Sequence, residues 1–161
     1  TRAWAWGDSM TEATTMSAHC QCGALALHIE GAPVAHLVCH CSDCRNFSGM
    51  SYVEAAFFKP DACSADGQVD SMTMKGGTGS EKTHYSCALC KTPLYVRVAA
   101  LNGAWAVMAN RLSSFKFEPQ AHIWTSEKAD DVLIPTGIVQ TTERPPKEIV
   151  DVMVSSFWGG K

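Results

Sequence analysis

Seven of the eight cysteines in this 161-residue chain fall into three short clusters: Cys20-Gln21-Cys22, Cys39-His40-Cys41-Ser42-Asp43-Cys44 and Cys87-Ala88-Leu89-Cys90. Only Cys63 stands apart. Pairs spaced C-x-C and C-x-x-C, in a chain whose first residues lack the charged-then-apolar pattern of a signal peptide, point to metal ligation in the cytoplasm rather than to disulfides. Seven thiols divide into four and three. Structural zinc is closed by four protein ligands, whereas catalytic zinc takes three and keeps one position open. The division predicts that Cys20, Cys22, Cys87 and Cys90 staple an early segment to a late one around one ion, and that Cys39, Cys41 and Cys44 form a second, reactive site. Iron-sulfur ligation by the outer four is the weaker alternative, because paired short spacings favour zinc.

The chain is long enough for one domain with a real core, burying roughly 68–70% of its unfolded surface. Hydrophobic residues make up 46% and charged ones 18%, which excludes a mostly disordered chain. With 13 Lys+Arg against 16 Asp+Glu the net charge is -3 and there is no basic run, so no nucleic-acid partner is expected. No run approaches the roughly 18–20 apolar residues that would cross a bilayer, so no membrane partner is expected either. Gly-x-Ser-x-Gly, Walker and dinucleotide glycine motifs are all missing.

Periodicity predicts a mainly β protein. Leu25, Leu27 and Ile29 alternate with polar or small neighbours as in a half-buried strand. Further strands are expected over 34–39, 52–58, 94–98, 105–109 and 122–125. Gly76-Gly77-Thr78-Gly79-Ser80 reads as a hairpin turn between 72–75 and 83–87, and Asn102-Gly103 as a type I′ turn. Ser42-Asp43-Cys44 reads as the cap and first turn of a short helix. After Pro145-Pro146, Ile149, Val150, Met153, Val154, Phe157 and Trp158 form one stripe of an amphipathic helix. That helix is expected to pack on its own sheet; the other expectation is a homodimer contact through Phe157 and Trp158. Residues 1–16 read as an N-terminal extension without order, an irregular stretch that continues to Ala18; 17–135 read as the zinc domain and 136–161 as a C-terminal extension carrying the helix.

The motifs His19-Cys20-Gln21-Cys22-Gly23-Ala24, Cys39 to Arg45, Cys87-Ala88-Leu89-Cys90-Lys91-Thr92-Pro93-Leu94 and Pro119-Gln120-Ala121-His122-Ile123-Trp124 resemble those of the glutathione-dependent formaldehyde-activating enzyme family, shared with centromere-protein-V-like proteins. The resemblance covers about residues 17–127. It implies a β-tent of antiparallel sheets, a structural zinc at Cys20, Cys22, Cys87 and Cys90, and a catalytic zinc at Cys39, Cys41 and Cys44. It also implies a carbon-sulfur lyase that joins glutathione reversibly to formaldehyde. Lys91 departs from the pattern, standing where the second C-x-x-C is usually followed by Gly.

A thiol with two carboxylates, such as glutathione, needs fixed positive charge beside an anionic zinc centre, and Arg45 is the nearest candidate in sequence. His122 and Trp124 are expected to border the site through the resemblance. His40 lies between two ligands, but an extended loop turns it away from them, and Cys63 reads as a free buried thiol. The functional expectation is a zinc-dependent lyase acting on a thiol and a small aldehyde. The alternative is a zinc-stabilised, non-catalytic module that binds a thiol or a protein partner.

Overall fold

The structure, a computed structural model, describes residues 15–77 and 79–158, with backbone alone for 156–158. Strand β2 (Ala26–Glu30) follows the alternation read from the sequence: Leu27 and Ile29 are fully buried, His28 and Glu30 exposed. It pairs antiparallel with β1 (Thr15–His19) on one side and β5 (Cys63–Asp66) on the other, giving a three-stranded sheet. Thr15–Ala18, expected to be irregular, are extended because β2 supplies their ladder. Among them only Ala18 is fully buried, too little apolar character to show a period. The rest of the expected extension lies outside the described residues.

The larger sheet is built from β3 (Ala35–Cys39), β4 (Val53–Phe58), β6 (Val69–Lys75), β7 (Glu81–Cys87), β8 (Pro93–Val98), β9 (Ala104–Met108), β10 (Ala121–Ile123) and β11 (Val139–Gln140). Its spatial order is β11-β10-β3-β4-β9-β8-β7-β6. The expectation of purely antiparallel pairing needs amending: β10 runs parallel to both β3 and β11. Neither neighbour is joined to it by a hairpin, so no tight turn forces opposite directions.

The central strands are buried on both faces, which explains their nearly unbroken apolar sequences. Along β4, Val53, Ala55 and Phe57 face one core while Ala56 and Phe58 face the other, and along β9 Trp105 and Val107 join Phe58. This second core contains Leu25, Leu27 and Ile29, so the small sheet covers that face. The first core contains Leu37, Cys39 and Cys41 together with Met153.

Met153 belongs to the C-terminal helix α2 (Lys147–Trp158), while the short helix α1 (Ser42–Ser48) follows β3. Pro146 opens α2, its carbonyl accepting from the Ile149 and Val150 N–H groups at 3.0 and 3.1 Å. Ile149, Val150 and Met153 turn onto the protein's own sheet. The dimer expectation falls on Phe157 and Trp158, whose side chains lie outside the described residues. No helix among the described residues is long and apolar enough to cross a membrane.

Two turns differ instructively. The 76–80 turn appears where expected, closed by Gly76 N–H to the Ser80 carbonyl at 2.9 Å, but its strands are longer than their periods showed. Asn102-Gly103 is not a two-residue type I′ turn. A 3-10 turn (Ala99–Leu101) precedes it, and the Asn102 and Gly103 N–H groups reach back to the Ala99 and Val98 carbonyls, each at 3.0 Å. Asn102 supplies the left-handed cap at φ 56°.

Candidate functional site

Cys20, Cys22, Cys87 and Cys90 converge so that all four sulfurs lie within 4.8 Å of one another. Cys20 and Cys22 are 3.6 Å apart, and Cys22 and Cys87 3.8 Å. Four thiolates around zinc, each at about 2.3 Å, would be separated by about 3.8 Å, so the donor set fits that ion. Backbone amides already point at the sulfurs: Leu25 N–H donates to Cys20 at 3.2 Å, and Leu89 and Cys90 N–H both donate to Cys87 at 3.4 Å. The Thr92 hydroxyl, 3.0 Å from Cys90, is the main influence holding that thiol down to about 5. Such donors orient metal ligands and favour the thiolate. Lys91 closes the turn with its N–H on the Cys87 carbonyl at 2.9 Å and a φ of 65°. A left-handed position of this kind favours glycine, and Lys91 occupies it with its ammonium paired to Asp70.

Cys39, Cys41 and Cys44 form the second cluster, again with all sulfurs within 4.8 Å. Cys39 sits 3.4 Å from Cys41 and 3.2 Å from Cys44. β3 delivers the first thiol, and α1 delivers the third one turn on. The cap of α1 is Cys41 itself, one residue before the expected position, its sulfur accepting from Cys44 N–H at 3.3 Å. As bare thiols the three share protons unevenly. Hydrogen bonds from Cys39 and Cys44, with the Lys82 charge adding, bring Cys41 down to about 2, while sharing with Cys41 pushes Cys39 up to about 12. A cluster that readily holds one anion and resists more suits a cation placed among its sulfurs.

These thiols form part of the wall of a cavity of about 550 Å³. Phe47, Phe57, Val96, Met108, Ile123 and Val150 make much of the remainder apolar. From β7, Lys82 reaches in, its Nζ 3.0 Å from Asp43 Oδ2 and 3.9 Å from Cys41 Sγ, with its side chain only 14% exposed. His84, two residues along the same strand face, also lines the cavity and is 2% exposed. Sequence reasoning missed both. Within Glu81-Lys82-Thr83-His84-Tyr85 a lysine and a histidine at alternate positions look like a solvent face; the usable signal was that this strand ends on a ligand cysteine.

Of the residues expected at the site, Trp124 lines the cavity and Arg45 and His122 do not. Arg45 bridges backbone, donating from Nε to the His40 carbonyl at 3.3 Å and from Nη2 to the Glu127 carbonyl at 2.8 Å. His122 Nδ1 meets His40 Nε2 at 2.8 Å, and burial first, then the neighbouring His122, hold His40 down to about 4. His40 is therefore turned from the sulfurs into a buried histidine pair. Trp124, left-handed at φ 57°, lies against Gly77, where a Cβ would meet its ring at 2.4 Å. Cys63 is half-buried on β5, its thiol pushed up to about 12 by burial and 3.5 Å from the Lys59 carbonyl.

A solved structure of a Rhodobacter sphaeroides protein is 19% identical, spanning 62% of this chain and 90% of that one with a TM-score of 0.49. No curated protein matches the sequence. The profile of the glutathione-dependent formaldehyde-activating enzyme (GFA) family matches residues 15–127, from the first described strand to the turn that Glu127 ends. The chain belongs to the glutathione-dependent formaldehyde-activating enzyme family.

Proposed function

We propose that the protein is a zinc-dependent carbon-sulfur lyase that joins a thiol such as glutathione reversibly to formaldehyde or another small aldehyde. Cys39, Cys41 and Cys44 would hold the reactive zinc, and Cys20, Cys22, Cys87 and Cys90 a structural one. The observation that carries this reading is the asymmetry between the clusters: the three-thiol group helps wall a cavity, whereas Cys20 and Cys87 sit in the core beneath the small sheet. Zinc held by three thiolates supplies an open ligand position and lowers the pKa of a group that enters it.

The chain's own residues supply the rest. A thiol with a pKa near 8.5 is only about 3% ionised at pH 7, so full ionisation gains at most about 30-fold, or about 2 kcal/mol. The larger contribution must come from holding the aldehyde carbon against sulfur, which a well-shaped, largely apolar wall favours. Lys82 offsets the negative charge of three thiolates and is placed to attract an anionic thiol. Arg45 acts through the backbone, tying the ligand loop to the 125–127 turn, and the His40–His122 pair braces the same loop from behind. Trp124 borders the substrate.

NMR exchange between free and glutathione-bound formaldehyde tests the proposal. Zinc-loaded protein is expected to accelerate exchange above the spontaneous rate, and Cys41→Ser, still folded, to lose the acceleration. No acceleration by the zinc-loaded wild type, or an unchanged rate in Cys41→Ser, contradicts it.

A further inference from the structure

One face of the large sheet floors the cavity, and two alanines on it make the room. Ala55 on β4 stands opposite Met108 on β9, and Ala106 opposite Phe57, so small and large side chains alternate across the pair. All four line the cavity. Ala55 at 5% exposure and Ala106 at 8% stay open to it, whereas Ala104, two residues from Ala106 on the same face, is sealed at 0%. Val96 and Ile123 extend this floor, and Phe47 of α1 and Val150 of α2 pack against the same core while lining the cavity. The helix α2 lies beyond residues 15–127, which the family profile matches, so Pro145 and Val150 are walls that the family domain does not itself supply.

We infer that the aldehyde taken here carries a hydrocarbon body, seated between Ala55 and Ala106 on the sheet and Val150 on α2, and that Val150 limits its size. The inference rests on the reading of the cavity as the reaction site and names its substrate class. A volume of about 550 Å³ lies within the roughly 300–1,000 Å³ of small-molecule sites, and formaldehyde would leave most of it unfilled. A carbon chain gains about fourfold in affinity for each methylene that an apolar lining removes from water. The thiol is not the molecule that fills the apolar part, because the carboxylates of a glutathione-like thiol are costly to bury unpaired. Its charged ends belong where the exposed Lys75, Glu81 and Arg144 line the cavity. In the addition, the sulfur lone pair forms the carbon-sulfur bond, the carbonyl π pair moves to oxygen, and that oxygen gains the proton the thiol loses. The hydrocarbon body takes no part in this step; it holds the carbonyl carbon in the cavity that the three thiols share.

Straight-chain alcohols from butan-1-ol to heptan-1-ol, which contain neither thiol nor aldehyde, serve as probes on the metal-loaded protein. On the wild type, affinity is expected to rise at least about twofold for each added methylene, with NOEs from the chain to the methyl groups of Val150 and Ala106. Val150→Trp should weaken heptan-1-ol about tenfold or more and butan-1-ol by less than about threefold. In exchange with glutathione, the same variant should lower the heptanal-to-formaldehyde ratio of kcat/KM by about tenfold. Affinity independent of chain length, no NOE to Val150, equal losses for the two alcohols, or an unchanged ratio would overturn the inference. The chain-length series and the NOEs are read on the wild type, so the test holds even if Val150→Trp does not fold. Glutathione–formaldehyde exchange without the gain from chain length rejects the substrate class alone, and the gain without any exchange rejects the reaction alone.

Discussion

Three thiolates around a divalent zinc would leave a charge of -1, and the structure sets the largely buried Lys82 beside those thiols. The ammonium is shared between Asp43 and Cys41. Although burial opposes its charge, Cys41 and Asp43 together keep its pKa above 10.5. Lys82→Met keeps the length of the side chain and removes the charge. It should weaken zinc at the three-thiol site by about 10–100-fold in chelator competition, the range for lost groups that support metal ligands, while the four-thiol site keeps its affinity. Unchanged affinity at the three-thiol site would show that Lys82 does not tune it. The cysteine clusters themselves were legible because the spacing within each is local. Lys82 lies 41 positions from Cys41 and reaches it only through the hairpin of β6 and β7. Arg45 is close in sequence, but the first turns of α1 carry its guanidinium toward backbone carbonyls instead.

Elements were legible where burial is two-sided or strictly alternate. β2 shows one pattern, polar and apolar by turns, and β9, with β4 from Ala55 onward, the other, an unbroken apolar run. β5, β11 and most of β1 lack both, since they are short or sheet-edge segments ordered mainly by pairing with a neighbour. The helix α2 was readable from its stripe, yet its role in the cavity was not, because that depends on where Pro145 and Val150 come to rest. Met153 is its fully buried anchor. Met153→Ala should cost about 2–5 kcal/mol, measured as a lower urea midpoint. A loss below about 1 kcal/mol would mean that α2 contributes little to the first core.

At the scale of the molecule, the four-thiol cluster brings the turn after β1 to the turn after β7, and an ion held there would tie the small sheet to the large one. Zinc ligation of this kind contributes on the order of 10–16 kcal/mol in small peptides, against a net domain stability of about 5–15 kcal/mol. The three-thiol site closes only a short loop, from Cys39 to Cys44, and its loss leaves both sheets joined. The cysteine count allowed this division into four and three, and the converging sulfurs agree with it. The cavity was not legible, because its walls come from both helices and from strands as separate as β4, β7, β8 and β9, which no local pattern brings together.

Zinc per chain, counted by mass spectrometry of the native protein and paired with circular dichroism, tests this division most directly. The account predicts two zincs in the wild type, one zinc in a folded Cys41→Ser, and unfolded or molten protein for Cys90→Ser. A single zinc in the wild type, or Cys41→Ser and Cys90→Ser folded equally well, would contradict it.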